Sequence, residues 1–138
     1  MPVADRRLAI VLWGALFAWA CTILWLSSLS PDELPDAAFA LWDKFNHFAA
    51  FTVGGWLAGS ALHTSYPRAG GRRIVVLAVL LLAAFGLFDE VLQTITPGRT
   101  GADVLDWTAD VIGAVTGAAL SRRGLDFHRL RQDVKERQ

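Results

Sequence analysis

The 138-residue sequence has a single cysteine, Cys21, so it can form neither an internal disulfide nor a cysteine-based metal site. It lacks internal repeats and low-complexity segments. No set of metal ligands stands at a diagnostic spacing, and neither a metal nor a cofactor is expected. Net charge is absent too: 13 Lys and Arg balance 13 Asp and Glu, and no nucleic-acid partner is expected. Charge is missing locally from residues 8–29, which carry none. What is abundant is apolar surface. Hydrophobic residues make up 54% of the chain and mean hydropathy is +0.38, too apolar for an ordinary small soluble domain.

A membrane-spanning helix needs about 20 predominantly apolar residues. Four stretches are read as such helices: approximately 8–29, 37–66, 74–95 and 104–120. They make one domain over residues 1–138, an all-α, polytopic four-helix bundle. A signal peptide competes for the first stretch, because Arg6 and Arg7 precede it. Its length and the lack of a clear A-x-A site favour a retained helix. The 30–36 loop is rich in proline and acid, and the 67–73 turn is basic. The fourth stretch is weakened by Asp106 and Asp110, and it needs its neighbours to insert. Residues 121–138 form a basic tail, either an interfacial helix on anionic lipid or a solvated end.

The basic residues are segregated. The amino terminus holds two, the 67–73 turn three and the tail six, leaving only Lys44 and Arg99 elsewhere. The positive-inside rule then places both termini and the 67–73 turn in the cytoplasm, with the 30–44 and 96–103 loops outside. Trp25, Trp42 and Trp107 fall near that outer boundary. The acids gather there as well: Asp32, Glu33, Asp36, Asp43, Asp89, Glu90, Asp103, Asp106 and Asp110.

Ionisable residues in membrane helices are costly and mark candidate sites. Gly86, Glu90 and Gln93 share one face of the third helix at i, i+4, i+7 spacing. Asp106, Asp110, Gly113 and Gly117 form one stripe on the fourth. The 1.5 Å rise per residue puts Asp110 about 9 Å past Val104, and Glu90 about 7–8 Å before Ile95. A short turn makes these helices antiparallel neighbours, so Glu90 and Asp110 are expected to meet at similar depth. Lys44 and His47, at i and i+3, face one way at the start of the second helix. Gly55 and Gly59 allow close helix packing. The expectation is one polar pocket on the outer side, walled by three helices and the turn that holds Arg99.

The motifs DKFNHFAAF, DEVLQ, PGRTG and DVLDWTADVIGAVTG, in this order, resemble the VanZ-like family of small bacterial membrane proteins. The residues that carry the resemblance are Asp43, Lys44, His47 and Phe48; Glu90 and Gln93; Pro97 and Arg99; and Asp106, Asp110 and Gly113. Asp110 stands where many relatives have Asn. The resemblance implies a multi-pass protein of the bacterial cytoplasmic membrane with a role in the envelope. The founding member is associated with resistance to the glycopeptide teicoplanin.

Three functions are open from the residues. In the first, Lys44, Arg99, Asp43, Gln93 and Asp110 bind an anionic, lipid-linked envelope ligand such as a lipid phosphate. Any chemistry there would use Glu90 or Asp106 as general base and His47 as acid or base. In the second, the cluster is an ion-pair network holding the bundle of a non-enzymatic partner-binding protein. The third, proton or ion movement, lacks a relay of charges through the inner halves of the helices. Membrane lipid is the expected partner, with anionic lipid at the basic tail.

Overall fold

A computed structural model describes residues 3–30, 43–99 and 101–136, and side chains for 6–30, 44–99 and 101–122. Among these residues all regular structure is helical. The four helices are α1 (Val3–Ser27), α2 (Asp43–Ser65), α3 (Gly71–Gln93) and α4 (Val104–Glu136). The 31–42 segment, with most of the expected outer loop and Trp42, lies outside the described residues. So do the side chains of Asp43 and of the tail beyond Arg122.

The helix boundaries differ from the hydropathy pattern for a physical reason. α1 begins at Val3 rather than 8, because the residues before the apolar run include the good helix formers Ala4, Arg6 and Arg7. α4 does not end at 120 but continues to Glu136. The segment 121–136 has no proline and one glycine, Gly124, so nothing breaks the helix there. Hydropathy marks where a helix is apolar, not where it stops.

Two helical stretches, Arg6–Ser27 and Gly71–Gln93, are long and apolar enough to cross a membrane. Both expose large apolar side chains: Leu8, Ile10, Val11 and Phe17 on α1, and Leu80, Leu87, Phe88 and Val91 on α3. Apolar surface of that extent suits lipid better than water. In the apolar helices the hydroxyls of Thr22, Thr52, Thr64 and Thr116 each donate to the carbonyl four residues back, so they meet their own needs.

The largest interface joins α2 to α4, and small residues build it. A Cβ on Gly113 would strike the Phe48 carbonyl, and one on Gly117 the Thr52 carbonyl. From the other side, a Cβ on Gly55 would strike the Ala114 backbone. The two backbones therefore touch, as small-residue stripes permit. Phe51, Ala58, Ile74, Ala78, Leu82, Ala114 and Ala118 fill the adjoining core. α1 packs onto α2 through Trp19, whose ring meets Phe51 edge-on at 5.4 Å and whose Nε1 donates to the Ala50 carbonyl at 3.1 Å.

Candidate functional site

The polar residues collect at one end of this bundle, where α2 and α4 begin and α3 ends. The close α2–α4 approach sets two levels of contact. At the first, Lys44 Nζ donates to Asp106 Oδ1 at 2.7 Å and to Asp103 Oδ2 at 3.2 Å. At the second, one turn deeper, His47 Nδ1 lies 2.9 Å from Asp110 Oδ1. Asp106 and Asp110 are both buried, the latter completely. Gly86 makes room for Asp110: a Cβ there would stand 2.8 Å from its Oδ2.

Glu90 on α3 reaches the same place. Its Oε2 accepts the Asp103 backbone N–H at 2.8 Å, and its own carbonyl accepts the N–H of Ala102 at 3.2 Å. Ala102 holds a left-handed backbone, φ 61°, to present those donors. A non-glycine residue in that region costs about 1–2 kcal/mol. Asp103 caps α4: its Oδ1 accepts the Leu105 N–H at 2.7 Å. That bond, reinforced by the Lys44 ammonium, holds the Asp103 carboxyl below its ordinary range.

A second polar layer faces α1. Asp89 Oδ2 accepts from Ser27 Oγ at 2.8 Å and from Gln93 Nε2 at 3.1 Å. Arg99 Nη2 donates to the Leu26 carbonyl at 2.9 Å and Nε to the Leu29 carbonyl at 3.1 Å. Thr96 Oγ1 donates to the Ser27 carbonyl at 3.2 Å. The 96–99 turn thus caps the carboxyl end of α1, where a cation also complements the helix dipole.

The cluster is not closed. Asp89 Oδ1, Glu90 Oε1 and Asp110 Oδ2 are buried with no hydrogen-bond partner among the described residues. His47, Glu90 and Asp110 each offer one donor atom, and the three atoms lie within 4.8 Å of one another. A cavity of about 420 Å³ sits at the opposite end of α2 and α3, lined by apolar residues and Arg73, and shares no residue with the cluster.

The facing stripes read from the sequence therefore meet: Lys44, His47, Glu90, Asp106 and Asp110 come together. Arg99 and Gln93 lie beside them, directed at α1 and at Asp89. Asp43 begins α2, and its side chain is outside the described set. Of the two bases considered, Asp106 is ion-paired to Lys44, while Glu90 keeps one oxygen without a partner among the described residues. Asp89, one of the acids at the outer boundary, is 1% exposed. Ser27 was missed altogether. Asp89 falls next to Glu90 and could have been found by extending its face from Gln93 back by four residues. Ser27 has no signal in the sequence, because its partner lies 62 residues away.

The comparisons with curated proteins and with solved structures each found no match. The family described as VanZ/LLP1 matches residues 11–125, which includes every residue of the cluster. The chain belongs to that family and is a VanZ-like membrane protein.

Proposed function

We propose that the polar cluster is the head-group site of a lipid-linked envelope ligand, in a chain that crosses the bacterial cytoplasmic membrane four times. Both termini lie in the cytoplasm and the cluster opens toward the outer leaflet. The charge bias of the loops supports this topology, with only Lys44 and Arg99 outside the basic ends and turn. Lys44 meets the phosphate as a point charge. The surplus of carboxylates favours a head group that brings hydrogen-bond donors or a cation alongside its phosphate. We extend this reading to a contribution to glycopeptide resistance, teicoplanin included, through the envelope lipid as ligand.

One observation carries the reading: buried oxygens of Glu90 and Asp110 have no hydrogen-bond partner among the described residues. A network evolved only to hold helices would be self-satisfied, since each orphaned buried polar group costs about 1–3 kcal/mol. The test is mass spectrometry of lipid retained by the purified chain. Wild type retains a phosphorylated lipid and Lys44→Ala loses it. Equal retention by a folded Lys44→Ala chain would sink the reading.

Arg99 favours a second reading, the partner-binding protein whose cluster only holds the bundle. Its side chain donates to the Leu26 carbonyl in the last turn of α1 and to the Leu29 carbonyl just beyond it, rather than into the cluster. A well-folded Glu90→Gln chain that loses its phenotype in cells argues against that alternative.

A further inference from the structure

We propose that His47, Glu90 and Asp110 bind one divalent transition cation of the zinc–manganese class. The donors come from three different helices and lie within 4.8 Å of one another. No local sequence spacing announces them, which is why the sequence shows no metal motif. Glu90 and Asp110 are 2% and 0% exposed. Each keeps a carboxylate oxygen with no hydrogen-bond partner among the described residues. The two carboxylates match a dication in charge, so the ion would relieve the cost of burying them.

The donor chemistry selects the ion. One imidazole nitrogen and two carboxylate oxygens form a mixed set, softer than the all-oxygen cages of calcium and magnesium. Zinc binds nitrogen and oxygen donors at about 2.0–2.2 Å, which puts donors of one ion roughly 3–3.5 Å apart. His47 Nδ1 and Asp110 Oδ1, hydrogen-bonded at 2.9 Å, exchange that bond for the ion, with the imidazole proton carried on Nε2 so that Nδ1 presents its lone pair. Glu90 closes the remaining distance by a side-chain adjustment. Three protein donors leave a coordination position for water or a phosphate oxygen. Only that last position rests on the head-group reading; the cation site stands on the three donors alone.

The experiment uses the full chain in detergent, stripped with EDTA and freed of retained lipid. Zinc chloride and manganese chloride are titrated separately by calorimetry, with unfolding temperature followed in parallel. Wild type binds about one ion per chain with at least one of the two and unfolds at higher temperature when loaded. Glu90→Gln and Asp110→Asn each weaken binding by about tenfold or more. With manganese, electron spin-echo spectra show coupling to a ligand nitrogen, which His47→Gln removes. Absence of saturable binding to wild type by both ions overturns the proposal without reference to any variant. Binding that persists unchanged in folded Glu90→Gln and Asp110→Asn chains overturns it as well. Lipid retention is scored separately on Lys44→Ala, so loss of the head-group reading leaves the cation result standing, and the reverse.

Discussion

Lys44 Nζ stands 2.7 Å from Asp106 Oδ1, joining the first turn of α2 to the first turn of α4. Backbone contact between these helices permits the pair to form, and the same contact brings His47 to Asp110 one turn deeper. The pair is therefore a consequence of glycine packing below it as much as of charge.

Lys44→Ala leaves Asp106 buried without its cation, a costly arrangement. Its unfolding temperature falls, and Asp106→Asn in the same chain recovers part of the loss. Thermal unfolding of the two single variants and the double variant measures the coupling. Strictly additive effects would show that the contact contributes nothing of its own.

Asp110→Asn keeps an oxygen for His47 and removes a buried charge. The chain unfolds at the same temperature as wild type or higher in the metal-free state. Asp110→Ala, which removes the carboxylate that His47 Nδ1 meets, unfolds lower. Circular dichroism melts in EDTA compare the two.

Arg99→Ala strips the Leu26 and Leu29 carbonyls of a charged donor. It costs about 2 kcal/mol of stability. Hydrogen exchange at residues 26–30 rises with it. Arg99→Lys does not restore the loss, because an ammonium lacks the planar fork that reaches both carbonyls. Unchanged stability together with lost lipid retention would move Arg99 from helix cap to ligand contact.

Gly117→Ala drives a methyl into the Thr52 carbonyl and to 2.6 Å from the Trp56 nitrogen. The backbones must separate, at about 1–3 kcal/mol. Gly14→Ala is the control: nothing lies within 4 Å of its Cβ, so it gains about 0.5–1 kcal/mol of helix propensity. Denaturation in matched micelles separates packing from propensity, and equal effects at the two positions would refute close α2–α4 contact.

The Asp103 carboxyl titrates below its ordinary value of 3.8 in the folded chain. The unfolded chain therefore takes up the proton first as pH falls. The stabilisation from this group is complete above about pH 4–5 and is lost as pH drops through the lowered folded value. Asp103→Asn keeps an oxygen for the Leu105 N–H but cannot titrate. Its stability is expected to vary less than wild type below pH 4. Parallel acid limbs for both chains would exclude Asp103 as the group responsible.

Much of the cluster was legible because helical periodicity acts locally. Glu90 and Gln93 on one face, and Asp106, Asp110, Gly113 and Gly117 on one stripe, follow from 3.6 residues per turn alone. A short connection between α3 and α4 makes them neighbours, so Glu90 and Asp110 had to approach. The end of α4 was not legible, since hydropathy reports surroundings rather than backbone conformation.

The sequence by itself determined an all-helical chain, the end of the bundle at which its acids gather, and the faces on which Lys44, His47, Glu90 and Asp110 lie. Periodicity and loop length need no distant partner to act. Only the tertiary structure decided what each polar group touches. Arg99, expected in the pocket, turns to the carbonyls of Leu26 and Leu29 at and just past the end of α1, and Asp89 is buried against Ser27. Those choices depend on where α1 docks, 60–70 residues away in the chain, and no local pattern encodes that position.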